Sequence, residues 1–395
     1  MQLFDNIKKV FSHEPYNARQ AQELAHLYSW GAVIFQVSRL MIKYGILDML
    51  NEHREGLTQD EIARAAGLSD YAAKCLLEAS LTAHIVLINP DTDRYTLAKT
   101  GWFLLRDQMV RADIDFNHDV NYEGWFVLDK ALEEGRPAGL AHFGDWPTIY
   151  EGLSSLPEQV QKSWFGFDHY YSDHSFDEAL DIIKTLPQPF PQGHPTARCL
   201  RGPRFRAGSG MKSERAFHVL DVGGNTGRFA IRCVESNPDI EVTICDLPQQ
   251  IGLMQQATAG KPGAERIHGV GMNILDETNA FPTDKRYDVI WMSQFLDCFS
   301  EQQIVSILRR AAAILDKDNR LFIMETLWDR QDYVPAALSL TMTSLYFTAL
   351  ANGNSKMYNT DDMTRLIHDA GLEIEAIHDR IGNGGHSILV VRRED

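Results

Sequence analysis

The sequence predicts an α/β chain in two parts: a mainly helical N-terminal half and a C-terminal doubly wound parallel sheet. Three observations predict it. Residues 57–97 read as helix, turn, helix and a two-stranded hairpin. Residues 100–186 read as helices rich in aromatics. From 217 onward strand-like and helix-like segments alternate. With 395 residues, 44% hydrophobic and 23% charged, the chain is long enough for more than one core.

Residues 20–50 carry apolar side chains at helical spacing through Ile34, Val37, Leu40, Met41, Tyr44, Ile46, Leu47 and Leu50, and Gly45 breaks the run. Thr58 with Glu61 three residues on is a capping box, so a short helix starts there and ends near Gly67. Ser69 caps a second helix carrying Ala73, Leu76, Leu77 and Leu81. Ile85–Ile88 and Arg94–Leu97, joined by a turn at Asn89-Pro90-Asp91, complete a winged-helix pattern, and the first domain is expected over 1–105. The stretch 106–186 is expected to be helical. Trp125, Trp146, Trp164, Phe167, Tyr170 and Tyr171 there serve either core packing or an aromatic-lined substrate pocket. Residues 187–216 hold five prolines, several glycines and a run of Arg and Lys; they read as a linker or insertion. Strands are expected at 218–220, 241–245, 287–292 and 320–324, helices between them, and a closing hairpin at 376–378 and 387–391, in a domain over 217–395.

Charge and cysteine usage exclude several classes. A net charge of −16 and a pI near 5.3 repel phosphate backbones and anionic lipid, so neither nucleic acid nor membrane is an expected partner. Five cysteines without a C-x-x-C pair argue against a disulfide framework and a metal site, and fit a reducing cytoplasm. The first 14 residues lack the apolar core of a signal peptide. Val334–Ala351 is apolar but hydroxyl-rich and reads as a buried helix.

The chemistry concentrates in Val219-Leu220-Asp221-Val222-Gly223-Gly224-Asn225-Thr226-Gly227, between a strand and a helix. At the carboxyl end of a parallel strand, glycines let the backbone approach a nucleotide-like ligand, and Asn225 tolerates left-handed angles. Asp246, ending the next strand, can accept two ribose hydroxyls; Leu247 can pack on an adenine face; Asp221 offers an acceptor for an amino group.

Asp-x-Gly-Gly-x-x-Gly with Asp246-Leu247-Pro248 resembles the S-adenosylmethionine site of class I methyltransferases. With the winged helix and aromatic helices before it, the chain is similar to small-molecule O-methyltransferases of the caffeate, hydroxyindole and polyketide type. The resemblance covers nearly the whole chain apart from 187–216. It implies a Rossmann-like methyltransferase domain behind a winged-helix dimerisation domain, a helical region covering the substrate, a homodimer, S-adenosyl-L-methionine as cofactor and a small-molecule acceptor. It implies donor contacts from Asp221, Gly223, Gly224, Gly227, Asp246, Leu247 and Ser293. Asn273 stands where the family commonly has Asp beside adenine, with Ile274 next to it. Tyr171 and Ser175 lie on the segment that resembles the family's closing helix.

The resemblance also locates the catalytic positions, and here the chain departs. Asp297, in Phe295-Leu296-Asp297-Cys298-Phe299, stands where the family has its basic His, and Glu325 matches the first supporting Glu. A second supporting Glu is replaced near Met357. Three routes to the proton stay open: Asp297 made basic by burial beside Glu325, an acceptor acidic enough to need no base, or a His from the helical half, His118 or His169. Asp297 also has a plain reading as a helix cap, for which Ser300 is better placed. Two other functions compete. A transcription regulator would use the helix Asp70–Glu78, whose only base is Lys74. A homologue that binds the same ligand without methyl transfer is suggested by the altered base position.

Overall fold

The computed structural model describes residues 10–186, 216–383 and 385–394, with the backbone alone at 169–173. Nearly all of the predicted linker, 187–215, lies outside the described residues. The described chain divides into two compact units, one of residues 10–120 with 158–167, the other of 121–157 with the described residues from Asp168 on.

The first unit opens with α1 (Ala18–Ser29), α2 (Gly31–Lys43) and α3 (Ile46–Glu52). Gly45 sits between the last two at φ +68°, a left-handed turn where the sequence breaks its period. The predicted capping box starts α4 (Gln59–Ala66), with Thr58 accepting from the amide of Glu61, and Ser69 caps α5 (Asp70–Thr82). β1 (Val86–Ile88) and β2 (Tyr95–Leu97) pair antiparallel, then α6 (Lys99–Arg106) and α7 (Gln108–Phe116) follow. Met41, Ile46, Leu47, Leu50, Ile62, Leu77, Ile85 and Val86 form the core. α1 buries none of its residues, and Leu27, Tyr28, Trp30 and Val33 are exposed.

The chain then enters the second unit with α8 (Leu128–Glu134) and α9 (Ile149–Gly152). α10 (Glu158–Ser172) belongs to the first unit up to Phe167 and to the second from Asp168. The helical stretch 106–186 is therefore shared between the units. α11 (Phe176–Ile183) precedes the sheet.

The sheet comprises β3 (Phe217–Val222), β4 (Ile240–Asp246), β5 (Ile267–Gly271), β6 (Val289–Ser293), β7 (Arg320–Glu325), β8 (Leu372–Ile381) and β9 (His386–Arg393). Their order is β5-β4-β3-β6-β7-β9-β8, parallel from β5 to β7, with β9 antiparallel to β7 and β8 to β9. The tail hairpin is as predicted, though longer. β5 is a strand the sequence pattern does not announce: Ile267-His268-Gly269-Val270-Gly271 has two glycines and no apolar alternation. Pairing with β4 makes it extended.

Helices α12 (Arg228–Ser236), α13 (Pro248–Thr258), α14 (Glu301–Ala312) and α16 (Thr360–Asp369) flank the sheet, and α15 (Val334–Tyr346) packs on the turns Trp328–Arg330 and Phe347–Ala351. Alternate strand residues point to opposite faces, so both faces are cores. Leu220, Val222, Ile290, Met292 and Ile323 meet Ile304, Leu308 and Leu366 on one side. Val219, Ile244, Trp291 and Met324 meet Leu180, Phe229 and Met254 on the other. Val334–Ala351, of mean hydropathy 1.4, is long and apolar enough to cross a bilayer; 44% of it is buried in the fold, with Ala337, Leu340, Thr343 and Tyr346 inward.

Trp291 is fully buried and stacks on Phe229 with ring centroids 4.4 Å apart. Trp291→Ala is expected to cost about 3–5 kcal/mol, read as a lower urea midpoint, because the surrounding sheet cannot close on the cavity. A loss under about 1 kcal/mol would show that Trp291 is not part of this core.

Candidate active site

The chain leaves β3 for β4 and β5 on one side, then returns to β6 on the other. The strand order reverses between β3 and β6, which opens a crevice at their carboxyl ends. The glycine-rich loop fills its floor. Gly223 and Gly227 adopt φ +77° and +79°, and Asn225 follows them into the left-handed region at +48°. Gly223 has a second reason to be glycine: a Cβ there would collide with the Phe295 ring. A Cβ on Gly224 would lie 2.6 Å from Asp221 Oδ2.

The loop is held from β4. Asp246 Oδ2 accepts from the amide of Asn225 at 2.9 Å, and Oδ1 from that of Leu247 at 2.7 Å. Burial raises the Asp246 carboxyl above its usual range, against those two amides. Asp221 is more extreme. It is buried, Oδ2 has no hydrogen-bond partner among the described residues, and burial with the Asp246 charge nearby pushes its pKa to about 8.

An open cleft lies over this loop. It is lined by the predicted Asp221, Gly223, Gly224 and Ser293, and also by residues the sequence does not single out: Asp168, Phe176, Arg228, Phe229, Trp291 and Gln294. Gln294 is a second non-glycine residue at positive φ, +45°. Two left-handed non-glycine residues in one cleft mark backbone strain where sites form. Such angles leave no trace in composition, so only Asn225 was suspected. Three buried polar atoms of cleft residues lack partners among the described residues: Asp221 Oδ2, Asn225 Oδ1 and the donor Trp291 Nε1.

The other predicted donor contacts are spread around this cleft. Gly227 packs toward Met254 and Thr258. Leu247 opens α13. Asn273 and Ile274 lie on the segment after β5, where Asn273 Oδ1 already accepts from the amide of Leu275 at 2.9 Å. Ser175 is buried beside Gly382. The Tyr171 side chain, like that of His169, lies outside the described residues.

The predicted catalytic pair does come together. Glu325 ends β7, and its Oε1 accepts from the amides of Phe295 and Leu296 at 3.1 and 2.9 Å. It thereby fixes the turn that carries Asp297. Ser300, not Asp297, caps α14, in a capping box with Gln303. Burial pushes Asp297 up to about 6. Burial and then the Asp297 charge push Glu325 well above the usual carboxylate range, and its Oε2 has no partner among the described residues. The Cys298 thiol donates to Asp297 Oδ1 at 3.5 Å and neighbours the buried Tyr150 hydroxyl, two groups that only the tertiary fold assembles.

His118, in the first unit, has its own network. Its Nδ1 lies 2.7 Å from Asp119 Oδ1, while Ser163 and Gln159 donate to Asp119 Oδ2 at 2.5 and 2.9 Å. The four free cysteines among the described residues are Cys75, Cys233, Cys245 and Cys298.

The family described as a methyltransferase domain matches residues 171–377, and a Dimerisation2-like domain matches 22–95. O-methyltransferase pgmB of Aspergillus terreus is 28% identical over 177 residues, 44% of this chain and 40% of that protein. The chain thus spans less than half the length of this curated relative. Methyltransferase fsa4 of Fusarium sp. (strain FN080326) is 24% identical over 370 residues, 91% of this chain and 92% of that protein. Among solved structures, the S-adenosylmethionine-dependent methyltransferase SibL in its apo form superposes with TM-score 0.65 at 21% identity, covering 93% of this chain and 98% of that one, a likeness of fold.

Two outcomes are expected. Gly223→Ala should lower stability by about 1–2 kcal/mol for the left-handed angle alone, and displace Phe295 with the turn beyond it; thermal denaturation reads the first and loss of ligand binding the second. Asp221, at about 8 when folded and about 3.9 unfolded, holds its proton more tightly in the fold. Its contribution is complete below pH 4 and is lost as pH rises toward 8. Ligand-free Asp221→Asn should therefore exceed the wild type at pH 8 by about 1–3 kcal/mol and not at pH 4. Parallel pH profiles for the two proteins in urea denaturation would contradict this.

Proposed function

Because the chain belongs to the methyltransferase-domain family, we propose that it transfers a methyl group from S-adenosylmethionine to a hydroxyl or carboxyl oxygen of a small aromatic or conjugated molecule. One observation carries the reading. Two buried oxygens of cleft-lining residues, Asp221 Oδ2 and Asn225 Oδ1, have no partner among the described residues, and burying such groups unpaired is costly. A ligand with an ammonium group and ribose hydroxyls brings those donors, so the residues fit it.

In this reading Gly223, Gly224 and Gly227 admit the ligand backbone-close, and Ser293 closes the cleft from β6. Asp221 takes the amino group. Asp246 keeps a lone pair on each oxygen for ribose hydroxyls after bracing the loop. Leu247 packs on the adenine, Asn273 and Ile274 border it, and Tyr171 and Ser175 cover the donor. When bound, the donor supplies a methyl group on a sulfonium, ready for in-line displacement. Asp297 accepts the acceptor's proton. Its carboxyl is pushed up to about 6 by burial, and burial with the Asp297 charge nearby raises Glu325 in turn. Glu325 positions the turn through the amides of Phe295 and Leu296.

The helix–turn–helix with its β1–β2 hairpin is read as a winged helix that dimerises. The Dimerisation2-like match over 22–95 and the exposed Leu27, Tyr28, Trp30 and Val33 support a homodimer. The reading is of a cytoplasmic enzyme with neither nucleic-acid nor membrane partners.

Titration calorimetry with S-adenosylhomocysteine should give binding; no heat at about millimolar ligand would end the donor assignment. On a panel of acidic phenols and aryl carboxylic acids, kcat/KM should rise with pH through about 6 as Asp297 loses its proton. Asp297→Asn should lower kcat by about 100-fold or more while leaving S-adenosylhomocysteine affinity unchanged. An undiminished rate in that variant assigns the proton elsewhere. Light scattering is expected to report twice the monomer mass.

A further inference from the structure

Beyond β5 the backbone runs without helix or strand from Met272 to Phe281. Both end residues are buried in the core, while most of the residues between them are exposed. An exposed bridge of this kind normally samples many conformations, each costing about 1–2 kcal/mol per residue to fix. Asn273, the residue read as facing adenine, sits at its start.

Arg310 on α14 reaches into this bridge. Its Nη2 donates to the carbonyl of Ile274 at 2.5 Å, and its Nη1 to those of Asn279 and Asp276 at 3.1 and 3.3 Å. Its guanidinium lies 6.0 Å from the centroid of the Phe281 ring, and Asp276 and Glu277 supply negative charge nearby. Asn279 passes the constraint on, its Nδ2 donating to the carbonyl of Asn273 at 3.0 Å. Three carbonyls converging on one side chain need a rigid fork of donors; the compact ammonium of Lys cannot span them.

We propose that Arg310 is a positioning residue for the methyl donor: it holds the bridge 273–279 in the shape that presents Asn273 to the adenine amino group. This rests on the reading of the cleft as a S-adenosylmethionine site. Arg310 does not touch the donor. Its two core anchors, Met272 and Phe281, remain when it is changed, so its loss loosens the bridge and leaves the sheet intact.

The test compares two ligands by calorimetry. S-adenosylhomocysteine carries the exocyclic amino group; S-inosylhomocysteine has a carbonyl in its place. Wild-type protein is expected to prefer the first. Arg310→Met should weaken S-adenosylhomocysteine by about tenfold and reduce the preference to within about twofold, with S-inosylhomocysteine nearly unaffected. Arg310→Lys should fall between the two. Hydrogen exchange of amides 273–279 should speed up in Arg310→Met while β3 to β7 keep their protection. A wild-type ligand preference retained in both variants overturns the proposal, as does a wild type that binds the two ligands equally. A wild type that binds neither overturns the donor reading and this inference with it. A general fall in stability with no change in the preference marks Arg310 as structural only.

Discussion

The carboxylate of Asp246 organises the binding edge of the sheet. It stands at the end of β4, and its two oxygens receive the amides of Asn225 and Leu247. One bond holds the glycine loop in its left-handed path; the other orients the entry into α13. The loop in turn leaves space under Gly223 for Phe295 and beside Gly224 for Asp221. The loop after β3, the start of α13 and the turn after β6 are therefore parts of one steric arrangement. The two non-glycine residues at positive φ that line the cleft, Asn225 and Gln294, each donate their amide to a neighbouring strand, to Asp246 Oδ2 and to the carbonyl of Met324.

A second constraint is electrostatic. Asp221, Asp246, Asp297 and Glu325 are all raised by burial at the carboxyl edge of a single sheet. Buried carboxylates lower their cost by keeping protons or by meeting a cation. In the ligand-free protein a proton serves Asp221, which near 8 is mostly neutral at pH 7. A cationic ligand reverses the balance, so the same burial that destabilises the empty site strengthens the attraction once the cation arrives. An acidic cleft of this kind discriminates against anions and favours a positively charged donor.

Much of the fold was legible because its signals are local. The capping box at Thr58 and Glu61, the Ser69 and Ser300 caps and the break at Gly45 each need only a few neighbouring residues, and each has the geometry expected. The alternation after 217 revealed the parallel strands, as repeated periodicity does. β5 escaped because its residues have no strand pattern of their own, and it exists only by pairing with β4. The site divides the same way. Asp221, Gly223 and Gly224 were readable from one continuous motif. Trp291 was not, since a tryptophan in an apolar strand is ordinarily core, and Trp291 is core as well as cleft lining. Arg310 was invisible because its meaning lies in partners tens of residues away.

The Asp at position 297 bears on which acceptors the site can serve. A histidine base near 6.5 and an aspartate raised to about 6 differ little in proton affinity. In the proposed reading, burial brings the carboxylate almost to the strength of an imidazole base. What differs is charge. An ionised Asp297 that takes a proton becomes neutral, whereas a histidine that does so becomes a cation beside an incoming sulfonium. Against an unperturbed phenol near 10, either base works uphill by about four units, roughly 5 kcal/mol. Conjugation to a carbonyl or a carboxyl group lowers that gap by acidifying the acceptor. In the proposed reading, a carboxylate raised to about 6 is therefore matched to acidic, conjugated oxygens, and it ends the transfer neutral as the donor's sulfonium becomes a thioether.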